Sequence, residues 1–276
     1  MRVSVIQMSP GADKGANIAQ ARSLVEAALA SERPDLIALP EMWTCLGGER
    51  AGKINAGEPL PNPGEAGGEA YEFLRGIAVA HGIHIHGGSI GERAGDKLFN
   101  TSLVFSPVGV ELARYRKIHL FDITTPDGQG YRESALYGGG DEVVTCHIGG
   151  THVGLAICYD LRFSELFLAL QRRHVDLIIL PAAFTLATGR DHWEVLLRAR
   201  AIETQTWFAA PACCGTHLEG KGEPRQTYGH SMIIDPWGQV VACASDGPGW
   251  ATARLDKALT ARLRANMPVL EHRRLA

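Results

Sequence analysis

The chain has 276 residues, 45% of them apolar and 21% charged, the balance of a globular protein with length for one large core or two ordinary ones. A formal charge of −3 excludes a general electrostatic attraction to nucleic acid or an anionic membrane, and no apolar stretch approaches the roughly 18 residues that a bilayer crossing needs. The six cysteines are scattered, with one adjacent pair and no C-x-x-C, which signals neither a disulfide framework nor a zinc site and makes reduced thiols in a cytosol the expectation.

In chain order, RVSVIQM alternates as a first strand and is too short and too interrupted for a signal peptide. ANIAQARSLVEAALASER follows as a helix with Ile18, Ala21, Leu24, Val25, Ala28 and Leu29 on one face. DLIALPE is a buried strand stopped by Pro40, and GGEAYEFLRGIAVAHG a second helix, ended by Gly82. Four strand-like pieces come next: IHIHGGSIGE, NTSLVFSP, LARYRKIHL and EVVTCHI. HVGLAIC leads to the helix SELFLALQRRH, after which DLIILPA, the helix HWEVLLRARAIETQ and WFAAPACC repeat the alternation. YGHSMIIDPWGQVVACA reads as a hairpin turning at 236–238, and LDKALTARLRANM as a closing helix. Nothing resembles a linker, so residues 1–276 are expected to form one domain, an α/β sandwich with two sheets inside and helices outside.

One internal echo stands out. Asp35-Leu-Ile-Ala-Leu-Pro40 and Asp176-Leu-Ile-Ile-Leu-Pro181 are near copies, each after a helix, and suggest two related halves flanking one site, although short apolar runs also match by chance. Two glycine-rich or polar stretches, 122–141 and 216–229, read as long irregular loops able to line or cover a pocket.

Three polar residues end apolar strands: Glu41, Lys117 and Cys158. Singly, each has a plain structural explanation, an exposed strand end, a surface lysine and a small core filler. Together they make a catalytic kit. A thiol nucleophile needs a base, a carboxylate whose pKa a closed pocket raises can act as one, and a lysine favours thiolate and then an oxyanion. Spacing alone leaves the two readings open. His84 and His86 share a strand face near His81, but no carboxylate stands beside them and no HExxH occurs, so packed histidines are favoured over a metal site. Gly138–Gly140 lacks the Lys and Ser/Thr of a phosphate loop, and one thiol of Cys213-Cys214 is expected to face the core.

LPE ending at Glu41, YRKIHLFD around Lys117, GLAICYDLRFSEL around Cys158, RARAIETQ at 198–205 and YGHSMIIDPWGQVVA at 228–242 together resemble the nitrilase superfamily of carbon–nitrogen hydrolases, over almost the whole chain. PAAFTLATGRDHWEVLLRARAIETQ is most similar to the amidase branch that cleaves deaminated glutathione, with the ω-amidases of 2-oxo acid amides close to it. Cys158-Tyr159-Asp160 departs from the Cys-Trp-Glu of true nitrilases, so an amide is favoured over a nitrile. Ser164 stands where many members carry proline, a departure confined to the first turn of a helix.

The resemblance implies an α-β-β-α sandwich that pairs through its helices into a four-layer homodimer or a higher oligomer. It implies Cys158 as nucleophile, Glu41 as general base, Lys117 as electrostatic stabiliser and Glu133 as the residue holding Lys117, with the Tyr159 N–H in the oxyanion hole. Arg162, Phe184 and Thr188 would line the carboxylate end of a small amide substrate. The expected reaction releases acid and ammonia through a thioester with no metal or organic cofactor. An N-carbamoyl hydrolase would use the same residues and also release carbon dioxide; a nitrilase, an acyltransferase, which would usually carry a membrane segment, or a non-catalytic binding protein are the remaining readings.

Overall fold

The computed structural model describes residues 1–62, 64–125, 128–218 and 224–275. Arg2–Gln7 forms strand β1 as its alternation predicts, and helix α1 (Lys14–Glu32) starts at Asp13, whose carboxylate accepts the Ala16 N–H at 2.8 Å. Strand β2 (Leu36–Ala38) is followed by a short helix, α2 (Arg50–Ala56), which the sequence did not signal. Helix α3 (Glu69–His81) stops at Gly82, left-handed at φ 64°, as expected of a glycine after the last turn. The run IHIHGGSIGE, read as one strand, is two: β3 (His84–His86) and β4 (Ile90–Ala94). Gly88 between them sits at φ 60°, and a Cβ there would lie 2.0 Å from the Pro40 carbonyl oxygen. Only glycine lets this segment press against the backbone that leads into Glu41.

Strands β5 (Lys97–Phe105) and β6 (Glu111–Arg116) follow. The 122–141 stretch is not wholly irregular: it holds a small hairpin, β7 (Asp122–Thr124) with β8 (Gly130–Arg132), a single 3-10 turn at Glu133–Ala135, and β9 (Tyr137–Gly138), which joins β5. The second half runs β10 (Thr145–Ile148), β11 (Thr151–Leu155), α4 (Ser164–Arg172), β12 (Leu177–Ile179), α5 (Leu186–Thr204) and β13 (Trp207–Ala210). In the 216–229 stretch, 219–223 lie outside the described residues, while 216–217 and 225–228 belong to the paired strands β14 (Cys214–His217) and β15 (Arg225–Tyr228). The hairpin of β16 (Met232–Ile234) and β17 (Val240–Cys243) turns where the sequence places it, before β18 (Gly249–Arg254), α6 (Lys257–Asn266) and α7 (Val269–His272).

These strands build two large sheets. One is ordered β18-β1-β2-β3-β5-β4, with β6 and β9 also on β5; the other is ordered β10-β11-β12-β13-β16-β17. Alternation along the strands then dictates the layers. Val3, Val5, Leu36 and Ala38 share one cluster with Leu155, Leu177 and Ile179 of the second sheet, while Ile6, Ile37 and Leu39 cluster with Val25 of α1 and Leu74 and Ile77 of α3. The second sheet packs its other face on Phe167, Trp193 and Leu197 of α4 and α5. The result is helix, sheet, sheet, helix. Among the described helices, none is long and apolar enough to cross a membrane.

The echoed hexapeptides occupy equivalent places. The Asp35 and Asp176 N–H groups donate to the carbonyls of Arg2 (2.9 Å) and His152 (2.7 Å), and their carboxylates accept the N–H groups of those same residues at 2.7 and 3.1 Å. Their carbonyls accept from His84 and Trp207 on the next strand, at 3.0 and 3.1 Å. Thus β1-β2-β3 and β11-β12-β13 are parallel triplets, each β1–β2-type pairing offset alike, with Val3 opposite Leu36 and Val153 opposite Leu177. Each middle strand ends at a proline and hands its chain to the same site.

Candidate active site

Pro40 ends β2, and the chain turns at Met42, a non-glycine residue at φ 47°. Two buried bonds fix that turn: the Met42 N–H donates to the Ser89 hydroxyl (3.0 Å) and the Trp43 indole to the Gly87 carbonyl (2.7 Å). Glu41 is thereby held inside the protein, 4% exposed. Lys117 follows β6, is 1% exposed, and is tied to β5 by its own N–H, which donates to the Asn100 carbonyl at 2.9 Å. Its ammonium donates to Glu41 Oε1 at 2.9 Å and to Glu133 Oε2 at 2.8 Å. Glu133 arrives on the 3-10 turn after β8, and its Oε2 also accepts the Phe121 N–H at 2.7 Å.

A residue that the sequence reading missed cross-links this set. Asn100 Nδ2 donates to Glu41 Oε1 at 2.9 Å and to Glu133 Oε1 at 3.1 Å. The available signal was weak, an amide beside Thr101 and Ser102 in the middle of a strand, buried where a side chain must have partners. Replacing Asn100 by alanine strips each carboxylate of a buried donor, and we expect kcat to fall about 10-fold with a smaller change in KM, since one lost hydrogen bond to a buried charged group costs ~1–3 kcal/mol. Steady-state kinetics decide this: wild-type kcat would mean that Lys117 alone positions both carboxylates.

Cys158 begins a 3-10 turn (Cys158–Arg162) just past the end of β11, at φ 46°. A residue with a β-carbon pays roughly 1–2 kcal/mol for that conformation, so surrounding contacts must impose it. Asp160, fully buried, supplies most of them. Its carboxylate accepts the N–H groups of Ile157 (2.8 Å) and His119 (3.0 Å) and the Tyr115 hydroxyl (2.7 Å), and lies 2.7 Å from His119 Nδ1. The Cys158 N–H donates to the carbonyl of Pro181, at the end of the second echoed hexapeptide, at 2.9 Å. Cys158 and Glu41 line the same cavity, near enough for each to act on the other's ionisation.

The charges settle into one resting state. Burial pushes the Glu41 carboxyl up, but the Lys117 charge, the Cys158 thiol, the Lys117 hydrogen bond and the more distant Arg225 together hold it below its ordinary 4.5. This corrects the expectation that enclosure would raise it: the ammonium outweighs the lost water. Burial, reinforced by the Glu41 charge, drives the Cys158 thiol well above 9.0, although Lys117 and the Ala183 N–H act the other way. Lys117 is disfavoured by burial yet held well above 10.5 by Glu133, Glu41 and Cys158. The resting site is therefore carboxylate, ammonium and neutral thiol.

These groups open onto one cavity of about 230 Å³, which Tyr159, Phe184 and Thr188 also line. Arg162 does not line it. Its guanidinium lies 5.9 Å from the Tyr159 ring centre and 5.6 Å from that of Phe184, with Nη2 3.3 Å from His192 Nδ1. Arg225, which the sequence reading passed over, does line the cavity. Of the other candidates, His86 is a fully buried ring that burial pushes down to about 3, a neutral core histidine, with Nδ1 accepting the Gly88 N–H. Both Cys213 and Cys214 are buried, and the Cys213 thiol donates to the Glu41 carbonyl at 3.2 Å.

The model of the carbon–nitrogen hydrolase family matches residues 2–265. A deaminated glutathione amidase of Synechocystis sp. (strain PCC 6803 / GT-S) is 38% identical over 276 residues, covering 98% of this chain and 97% of that protein. The Homo sapiens deaminated glutathione amidase is 39% identical over 280 residues, covering 99% of this chain and 82% of the relative. Among solved structures, the C. elegans NitFhit protein superposes with a TM-score of 0.87 at 34% identity, covering 99% of this chain, which spans 65% of that protein's length. Saccharomyces cerevisiae Nit3, a member of branch 10 of the nitrilase superfamily, gives 0.86 at 29% identity, over 100% of this chain and 97% of that one. The chain belongs to the carbon–nitrogen hydrolase family of the nitrilase superfamily and is a hydrolase of carbon–nitrogen bonds.

Proposed function

We propose that this hydrolase is a cysteine-dependent amidase acting on a small, carboxylate-bearing amide through a thioester. The observation that carries the reading is the Glu41 carboxylate, bonded to a buried ammonium and sharing the edge of one cavity with a neutral thiol. Glu41 takes the Cys158 proton as the sulfur attacks the amide carbonyl. Lys117 and the Tyr159 N–H stabilise the oxyanion, with Glu133 and Asn100 keeping the ammonium in place. The protonated Glu41 then gives its proton to the leaving nitrogen, so ammonia departs from a primary amide and an amine from a secondary one. Glu41 next takes a proton from water, which cleaves the thioester and restores the thiol.

The carboxylate end of the substrate would lie along Tyr159, Phe184 and Thr188, with the Arg162 charge against the two rings. Deaminated glutathione or a 2-oxo acid ω-amide is the substrate type, from the likeness to relatives of that name. Pairing into a homodimer through the outer helices belongs to the same reading, and Val195 and Ile202 of α5 and the nearby Trp237 stand exposed there. The function is tested by incubating the protein with deaminated glutathione, 2-oxo acid ω-amides and N-carbamoyl amino acids and identifying every product. We expect acid and an amine from deaminated glutathione, and acid and ammonia from the 2-oxo acid ω-amides. Carbon dioxide with ammonia from the third class alone would replace the amidase by a carbamoyl hydrolase.

A further inference from the structure

The hairpin of β14 and β15 packs against the segment that walls the cavity opposite Glu41 and Lys117. The Tyr228 N–H donates to the Phe184 carbonyl at 3.0 Å, Thr227 bridges to Thr185, and the Thr227 hydroxyl lies 2.7 Å from His217 Nε2. Arg225, at the start of β15, is thus placed by a rigid strand and turns its side chain into the cavity. Its Nη2 donates to the Ala183 carbonyl at 2.7 Å, and its guanidinium lies 5.6 Å from the centre of the Tyr131 ring. Its Nε–H is buried and, among the described residues, meets no acceptor. No carboxylate of the described residues pairs with Arg225, whereas Lys117 is already saturated by Glu41 and Glu133.

A guanidinium that lines a cavity, is pinned at one nitrogen and keeps a second donor buried without a partner has hydrogen-bonding capacity that the resting protein leaves unused. Its chain neighbours Pro224 and Gln226 line a second cavity, of about 560 Å³, that shares Tyr131 with the first. Arg225 therefore stands where the reaction cavity meets a wider outer space. Arg162 is not among the residues that line the cavity; its guanidinium lies against the rings of Tyr159 and Phe184.

We propose that Arg225 is the specificity residue of this enzyme: it binds a carboxylate of the amide substrate through its guanidinium, beside the junction of the two cavities. The inference rests on the amidase reading above and, for a substrate with a single carboxylate, moves the anchor of that carboxylate from the Arg162 end to Arg225. In the resting protein the donor waits for an acceptor that the substrate supplies, which favours acids carrying an amide over their neutral analogues.

The test uses a pair of substrates, a 2-oxo acid ω-amide and its methyl ester, with the full-length wild type, Arg225→Lys, Arg225→Met and Arg162→Met. We expect the ratio of kcat/KM for acid over ester to fall on the order of 10–100-fold in Arg225→Met, mainly through KM, because a charge-assisted bond is lost only with the acid. Arg225→Lys, which keeps the charge but not the fork, should fall between. An unchanged ratio with equal losses on both substrates would overturn the proposal and leave Arg225 as a prop for the Ala183 segment. A fall in the ratio in Arg162→Met and not in the Arg225 variants would overturn it too. Calorimetric binding of the acid to Cys158→Ala, with and without Arg225→Met, reads the same contact without turnover. There the second substitution should weaken binding by a similar factor, and equal affinities would refute the contact. Failure of the amidase reading is seen separately, as a wild type that cleaves neither substrate.

Discussion

Replacing Cys158 by alanine is expected to lower amide hydrolysis by about 10⁴-fold or more while leaving the fold in place, because the covalent route is removed entirely. The fold should survive for three reasons. The sulfur borders a cavity, so no packed volume collapses. The left-handed turn at 158 is imposed by Asp160 and by the backbone bond to Pro181, and both persist in the variant. Alanine carries the same β-carbon, so the conformational cost is unchanged. Serine at 158 should be nearly as inactive, since a carboxylate held below its ordinary 4.5 is too weak a base for an alcohol. Amine release and intact-protein mass after rapid quenching with substrate provide the check. The wild type should accumulate an acyl adduct at Cys158 and the alanine variant none. Turnover near wild type in Cys158→Ala would remove Cys158 from the chemistry and with it the thioester.

Which parts of this site the sequence disclosed follows from how each residue is held. Glu41, Lys117 and Cys158 each terminate or closely follow an apolar strand, and a polar residue at such a boundary is visible without knowing which strands are neighbours. The echo of Asp35–Pro40 in Asp176–Pro181 was legible for the same reason, and the matching hydrogen bonds of the two aspartates give it a physical meaning. Asn100 and Arg225 were hidden. One is an amide beside two hydroxyl residues inside a strand and the other one of two basic residues, with Lys221, in a polar stretch, and each acquires a role only when distant segments meet.

The hairpins within 122–141 and 216–229 escaped because their strands have three or four residues, too few to show alternation. The break between His86 and Ile90 was a matter of steric contact with Pro40, which no local pattern encodes. The direction of the Glu41 shift was misjudged because burial and the Lys117 charge oppose each other. Their balance depends on a 2.9 Å contact between residues that lie 76 apart in sequence.

Lys117→Met is expected to cut kcat by about 10²–10³, the usual loss when an oxyanion stabiliser is removed, with a smaller change in KM. It should do more than that, because Lys117 is the only cation between Glu41 and Glu133 among the described residues. Without it, the buried Glu41 and the half-buried Glu133 share the Asn100 amide with no cation between them, which favours uptake of a proton at the more buried Glu41. The Glu41 carboxyl, now below 4.5, should move above it. In the wild type the depressed Glu41 carboxyl contributes stability above its ordinary 4.5 that is lost as pH falls through the folded-state value, while the raised Lys117 contribution is lost only as pH rises beyond 10.5. In Lys117→Met the sign at the carboxyl reverses. A raised folded-state value makes protonation favour the fold, so stability is greatest at low pH and declines as pH rises through that value. Breaking the buried pair should cost ~3–5 kcal/mol near neutrality and less in mild acid. Thermal melting at about pH 5 and pH 8, with pH profiles of kcat/KM for both proteins, measures each part. The acid limb of kcat/KM should shift upward in the variant, since the base must be ionised to accept the Cys158 proton. A rise in KM alone, with the acid limb and the melting difference unmoved, would make Lys117 a substrate-binding residue and leave the oxyanion to other donors.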